Sequence, residues 1–73
     1  MRSPAEILQD YADTLSTASG AMRLAAETLQ AAGFEEEALR VMQAANAAID
    51  ASIILLRRAL YLLAAARGNI TPA

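Results

Sequence analysis

Residues 40–67 carry apolar side chains in two helical stripes at once. One steps by heptads through Leu39, Asn46, Ile53 and Leu60, with Met42, Ile49, Leu56 and Leu63 three residues on. The other runs through Val41, Ala48, Leu55 and Leu62, with Ala45, Ser52, Ala59 and Ala66 beside them. Each stripe keeps the three- and four-residue steps of a packed helix face. Ile54 and Tyr61 fall on the otherwise polar strip of Arg40, Gln43, Asp50 and Arg57, so residues 53–63 are apolar nearly all round. A helix of that kind is buried on more than one side.

Earlier in the chain a single stripe holds its register through Leu8, Leu15, Met22 and Leu29, with Tyr11, Ala18, Ala25 and Ala32 three residues on. Ser3-Pro4-Ala5-Glu6 is a capping box with proline at the first helical position, which starts helix 1 at about residue 4. Gly33 supplies the left-handed position that ends it near residue 32. Glu35-Glu36-Glu37 then places three carboxylates beside the free amides of a new first turn, so this acidic run reads as a helix start rather than a metal or catalytic cluster. Helix 2 spans about residues 35–67, with Arg67-Gly68-Asn69 at its end and a frayed tail over 68–73.

The prediction is one all-α domain, an antiparallel two-helix hairpin with its turn at 33–34. Ser16-Thr17-Ala18-Ser19-Gly20 is its weak point, but the continuous stripe favours an unbroken helix, with Gly20 and its small neighbours admitting a closely packed partner or a ligand. One hairpin partner cannot cover both stripes of helix 2. Association into a symmetric helical-bundle oligomer follows, with Val41, Ala48, Leu55, Ala59 and Leu62 as the expected interface.

Length sharpens that expectation. A chain of 73 residues has a marginal core and needs a disulfide, a metal or association, and with no Cys and no His the first two routes are closed. A net charge of −2 gives no polyanion-binding surface, and no basic groove-entering helix supports a repressor-like reading. Arg57 and Arg58 cut the longest apolar stretch, so membrane insertion is not expected, and with no targeting segment visible the expected location is the cytoplasm. The composition, 19 alanines and no lysine, fits either a GC-rich genome or a designed sequence.

Candidate chemistry is sparse. Without His, Cys or Lys, an enzyme would have to rest on carboxylates, and Asp10, Asp13 and Glu27 lack the spacing of an inward metal-binding pair. No catalytic residue, metal or cofactor is expected. Asn46 interrupts a stripe, as a register-setting amide bonded to a symmetry mate or a helix 1 hydroxyl, or as a ligand contact. Tyr11 is either a buried aromatic or a base-stacking platform. Arg58 needs a carboxylate such as Glu27, a phosphate or water, while Arg23 and Arg40 are either solvated surface arginines or anion contacts beside small residues where another subunit could close a pocket.

Ala45, Ile49, Ser52, Ile54, Leu56, Arg58, Ala59 and Leu60 are spaced as in the hairpin of phage anti-CBASS and anti-Thoeris sponge proteins, which helix 2 therefore resembles. Ala18-Ser19-Gly20-Ala21 with Leu24 is similar to the small-residue step of that family's first long helix, so the resemblance covers about residues 15–62. The chain departs from the family at Asn46 and Ala47, which replace a basic residue and a threonine, and in lacking a helix 1 lysine. The resemblance implies a symmetric assembly such as a hexamer, in a host cytoplasm, that sequesters cyclic di- or trinucleotide immune signals without turnover. Tyr11, Ser19, Arg23, Arg40, Asn46 and Arg58 would be its ligand contacts. The alternative is a structural or protein-binding helical oligomer with no small ligand.

Overall fold

Two helices, α1 (Pro4–Ala31) and α2 (Glu35–Ala66), make up the computed structural model, which describes residues 2–68. The predicted tail beyond Gly68 lies outside the described residues. Ser3 caps α1 by accepting from the Glu6 amide at 3.3 Å. The Glu6 carboxylate accepts from the Ser3 hydroxyl at 3.2 Å, so the box closes through the hydroxyl rather than the Ser3 amide. At the other end Gly33 has φ +94°, the Phe34 amide donates to the Leu29 carbonyl at 2.8 Å and the Gly33 amide to the Gln30 carbonyl at 3.1 Å. This is a Schellman closure, which uses carbonyls the helix would otherwise leave free. α1 runs unbroken through Gly20, which is exposed.

The helices meet along small side chains. Ala5, Ala12, Ser19 and Ala26 of α1 are buried at strict heptad spacing, as are Ala38, Ala45, Ser52 and Ala59 of α2. The Ser19 hydroxyl donates to the Ala45 carbonyl at 2.8 Å, which fixes the register. Stepping seven residues either way sets Ala12 beside Ser52, Ala5 beside Ala59 and Ala26 beside Ala38, so each buried small residue of one helix faces one of the other. Side chains of this size let the backbones approach closely, toward the lower end of the 8–10 Å range of helix packing. The cost is apolar burial: among side chains less than 2% exposed the largest is Ser19.

This corrects two expectations. On α1 the Leu8 stripe is in place, but its inward companions are Ala5, Ala12, Ser19 and Ala26, while Tyr11, Ala25 and Ala32 are exposed. On α2 the second stripe is the one turned toward α1. Ala59 is 0% exposed and Ala48 8%, with Val41, Leu55 and Leu62 half-buried beside them, so Ala48 and Ala59 are consumed inside the hairpin and are not a free interface. The physical reason is that the antiparallel hairpin closes on its smallest side chains, and the bulkier stripe is left outside. Leu39, Ile53, Leu56 and Leu60 of the first stripe are exposed.

Helix geometry then assigns the two broad faces of the hairpin. In an antiparallel pair, residues three after a seam residue and one before it project on the same side from both helices. That side, face A, carries Leu8, Leu15, Met22 and Leu29 from α1 and Val41, Leu55 and Leu62 from α2, separated by alanines. The other, face B, joins Leu39, Ile49, Ile53 and Leu60 of α2 to the polar Asp13, Ser16, Arg23 and Glu27 of α1. The Cα atoms extend 54 × 27 × 11 Å, with a radius of gyration of 16.6 Å. A compact domain of this length would have a radius of about 11 Å. A single helical layer has no second layer to cover its faces.

Candidate functional site

The residues expected to contact a ligand do not converge within one hairpin. Ser19 is 1% exposed and its hydroxyl is spent on the Ala45 carbonyl, so it holds the two helices together and is closed off from solvent. The small-residue step at Ala18-Ser19-Gly20-Ala21, which carried the resemblance, contributes Ser19 to the close seam. Tyr11 is 61% exposed at the edge of face A, the opposite of a buried aromatic. Asn46 is exposed on face B with Arg23. The helix 1 hydroxyl that crosses to α2 meets the backbone of Ala45, one residue away from the Asn46 amide.

Arg40 donates to Glu36 at 3.2 Å with both side chains 75% exposed, an i,i+4 pair on the outside of α2. Such a pair contributes about 0.3–0.5 kcal/mol and leaves the guanidinium available to solvent. Arg2 pairs with Asp10 near the start of α1. Arg58 does not reach Glu27: the Ser19–Ala45 register puts Glu27 level with Glu37, three heptads or about 31 Å along the axis from Arg58. Its guanidinium lies instead over the Tyr61 ring, 5.0 Å from the centroid.

That stack belongs to a cluster the sequence pattern did not single out. Ile54, Arg57, Arg58 and Tyr61 line one shallow groove on the outer side of α2. Ile54 is 64% exposed and Tyr61 42%. The spacing Ile54, Arg57, Arg58, Tyr61 is i, i+3, i+4, i+7, the signature of a single helix face. It was legible in the sequence, but there the arginines read as interruptions of an apolar run. Chemically the groove offers two guanidinium forks for an anion and an aromatic ring for stacking.

Among the described residues no group of three or more acidic side chains is gathered as a metal site. No helix of the described residues is long and apolar enough to cross a membrane. The buried side-chain oxygens of the described residues all have hydrogen-bond partners, and the Ser52 hydroxyl donates to the Ile49 carbonyl at 2.8 Å. Among the described residues no buried side-chain polar atom is therefore left aimed into a cavity. The chain matches no protein-family model, no curated protein and no solved structure.

Proposed function

We propose that this chain is the subunit of a homo-oligomeric, non-enzymatic binding protein. The observation that carries this reading is the mismatch between core and surface. The seam is built from Ala and Ser, while Leu39, Ile53, Ile54, Leu56, Leu60 and Tyr61 stay exposed on α2. The chain exposes 5463 Å², whereas a compact monomer of its mass exposes about 4,300 Å². Apolar area left in water contributes nothing to stability, and each 100 Å² covered by another subunit contributes about 2.5 kcal/mol of transfer free energy before association costs.

The ligand class we propose is a cyclic di- or trinucleotide held between subunits, which makes the assembly a sponge for such signals. Arg57 and Arg58 supply forks for phosphate and Tyr61 a stacking ring, beside an apolar rim that a neighbouring subunit would complete. Tm measured with and without a panel of cyclic di- and trinucleotides tests it. A ligand at about 100 times its Kd adds about 2.7 kcal/mol, and Arg57→Ala removes the gain. A structural oligomer with no small ligand is the second reading, favoured by the dispersal of Tyr11, Arg23, Arg40 and Asn46 over different faces. An unchanged Tm with every nucleotide of the panel decides for it.

A further inference from the structure

We infer that face A is the surface on which a second copy of this chain packs, antiparallel and face to face, to make a four-helix unit. This rests on the self-association proposed above and adds which face is covered first; Leu39, Ile53 and Leu60, on face B, stay uncovered in this contact. Face A differs from the rest of the surface in being apolar on both helices. Leu8, Leu15, Met22 and Leu29 of α1 are half-buried by the seam and present their outer halves here, as do Val41, Leu55 and Leu62 of α2. Face B has an apolar half from α2 only, and its α1 half holds Asp13, Arg23 and Glu27.

The occupant is a second copy because of area, charge and size pattern together. Two helices about 42 Å long and about 18 Å across offer about 750 Å², close to the roughly 800 Å² per partner of a standard interface. The charges bordering face A on α2 are Glu37 and Arg58, on the same edge and three heptads apart. A two-fold axis crossing the hairpin between Ala47 and Ala48 sets Glu37 beside Arg58 of the partner subunit, and Arg58 beside Glu37 of the partner subunit. The same axis levels Leu8 with Ala25 of the partner subunit and Leu15 with Ala18 of the partner subunit. At these two levels a large side chain meets a small one, as interdigitation needs, while Met22 levels with Tyr11 of the partner subunit at the edge of the face. Unrelated peptides or lipid have no reason to reproduce this spacing.

The test uses exposed alanines, because their replacement leaves the hairpin seam untouched. Ala25 and Ala44 are exposed on face A, whereas Ala21 and Ala47 are exposed on the outer sides of the helices. The full chain, Ala25→Glu with Ala44→Glu, and Ala21→Glu with Ala47→Glu are compared by light scattering, with far-ultraviolet circular dichroism as the check of helix content. The inference requires the first pair to reduce the mass at least twofold while the second leaves it unchanged. A parent that is already monomeric overturns both this inference and the proposed self-association. An oligomeric parent whose mass survives the first pair, or falls with the second, overturns the face assignment alone. Orientation is read separately: Glu37→Arg and Arg58→Glu each weaken the oligomer several-fold and together restore it. A double variant no better than the singles overturns the antiparallel arrangement.

Discussion

Enlarging one methyl in the seam tests whether the hairpin is closed on alanine. Ala45 is 0% exposed, and its carbonyl accepts the Ser19 hydroxyl at 2.8 Å. In Ala45→Leu an isobutyl group must enter a space already filled by Ser19, which is itself 1% exposed. Overpacking of a filled core costs about 1–3 kcal/mol, and helices forced apart also lose the Ser19 bond, about 0.5–1.5 kcal/mol. The sum, about 1.5–4.5 kcal/mol, lowers Tm by at least about 6 °C in a domain of this size. Ala47→Leu, on the exposed side of the same helix, should stay within about 0.5 kcal/mol of the parent. Ser19→Ala separates the two terms, because it removes the bond and keeps the space, and should cost no more than about 1.5 kcal/mol. Thermal melts followed at the helical dichroism band, at one fixed protomer concentration, read all three. If Ala45→Leu melts with the parent, the seam is not where the helices meet.

Gly20 sits in helical backbone with nothing within 4 Å of an added Cβ, so Gly20→Ala should stabilise by about 0.5–1 kcal/mol through helix propensity alone; a drop in Tm would mean that a second subunit needs that space. Gly33 is equally open but has φ +94°, so Gly33→Ala should lose about 1–2 kcal/mol to left-handed strain, and an unchanged denaturation midpoint would contradict the turn geometry.

The helices themselves were legible because their signals are local. Ser3 and Glu6, the Gly33 stop and the acidic first turn of α2 each act within a few residues of the boundary they set, and α1 and α2 begin and end there. The seam was harder to read, because hydrophobic periodicity ranks Leu and Ile above Ala, and the stripe with the larger side chains looks like the core. In an antiparallel pair the reverse can win: small residues at seven-residue spacing on both helices allow backbone approach, and the larger ones flank it. Ala5, Ala12, Ser19 and Ala26 carried that signal, matched by Ala38, Ala45, Ser52 and Ala59. Recognising it needs both helices considered together, since neither stripe is distinctive alone in a chain with 19 alanines.

The candidate site was less legible for a different reason. Tyr11, Arg23, Arg40, Asn46 and Arg58 were singled out one by one as polar or aromatic departures from an apolar pattern. Which of them share a face depends on the register between helices, which the Ser19–Ala45 contact marks. The register separates Arg58 from Glu27, and Arg58 stacks on Tyr61 from its own helix. The Arg57–Arg58–Tyr61 groove needs no tertiary information at all, being spaced along one helix face.

The mass of the chain in solution, taken by light scattering across a micromolar concentration series, bears most directly on the idea that one helical layer cannot stand alone. A defined multiple of 7.7 kDa is expected, with a Tm that rises as protein concentration rises. A species of 7.7 kDa that melts cooperatively at a concentration-independent temperature would contradict it.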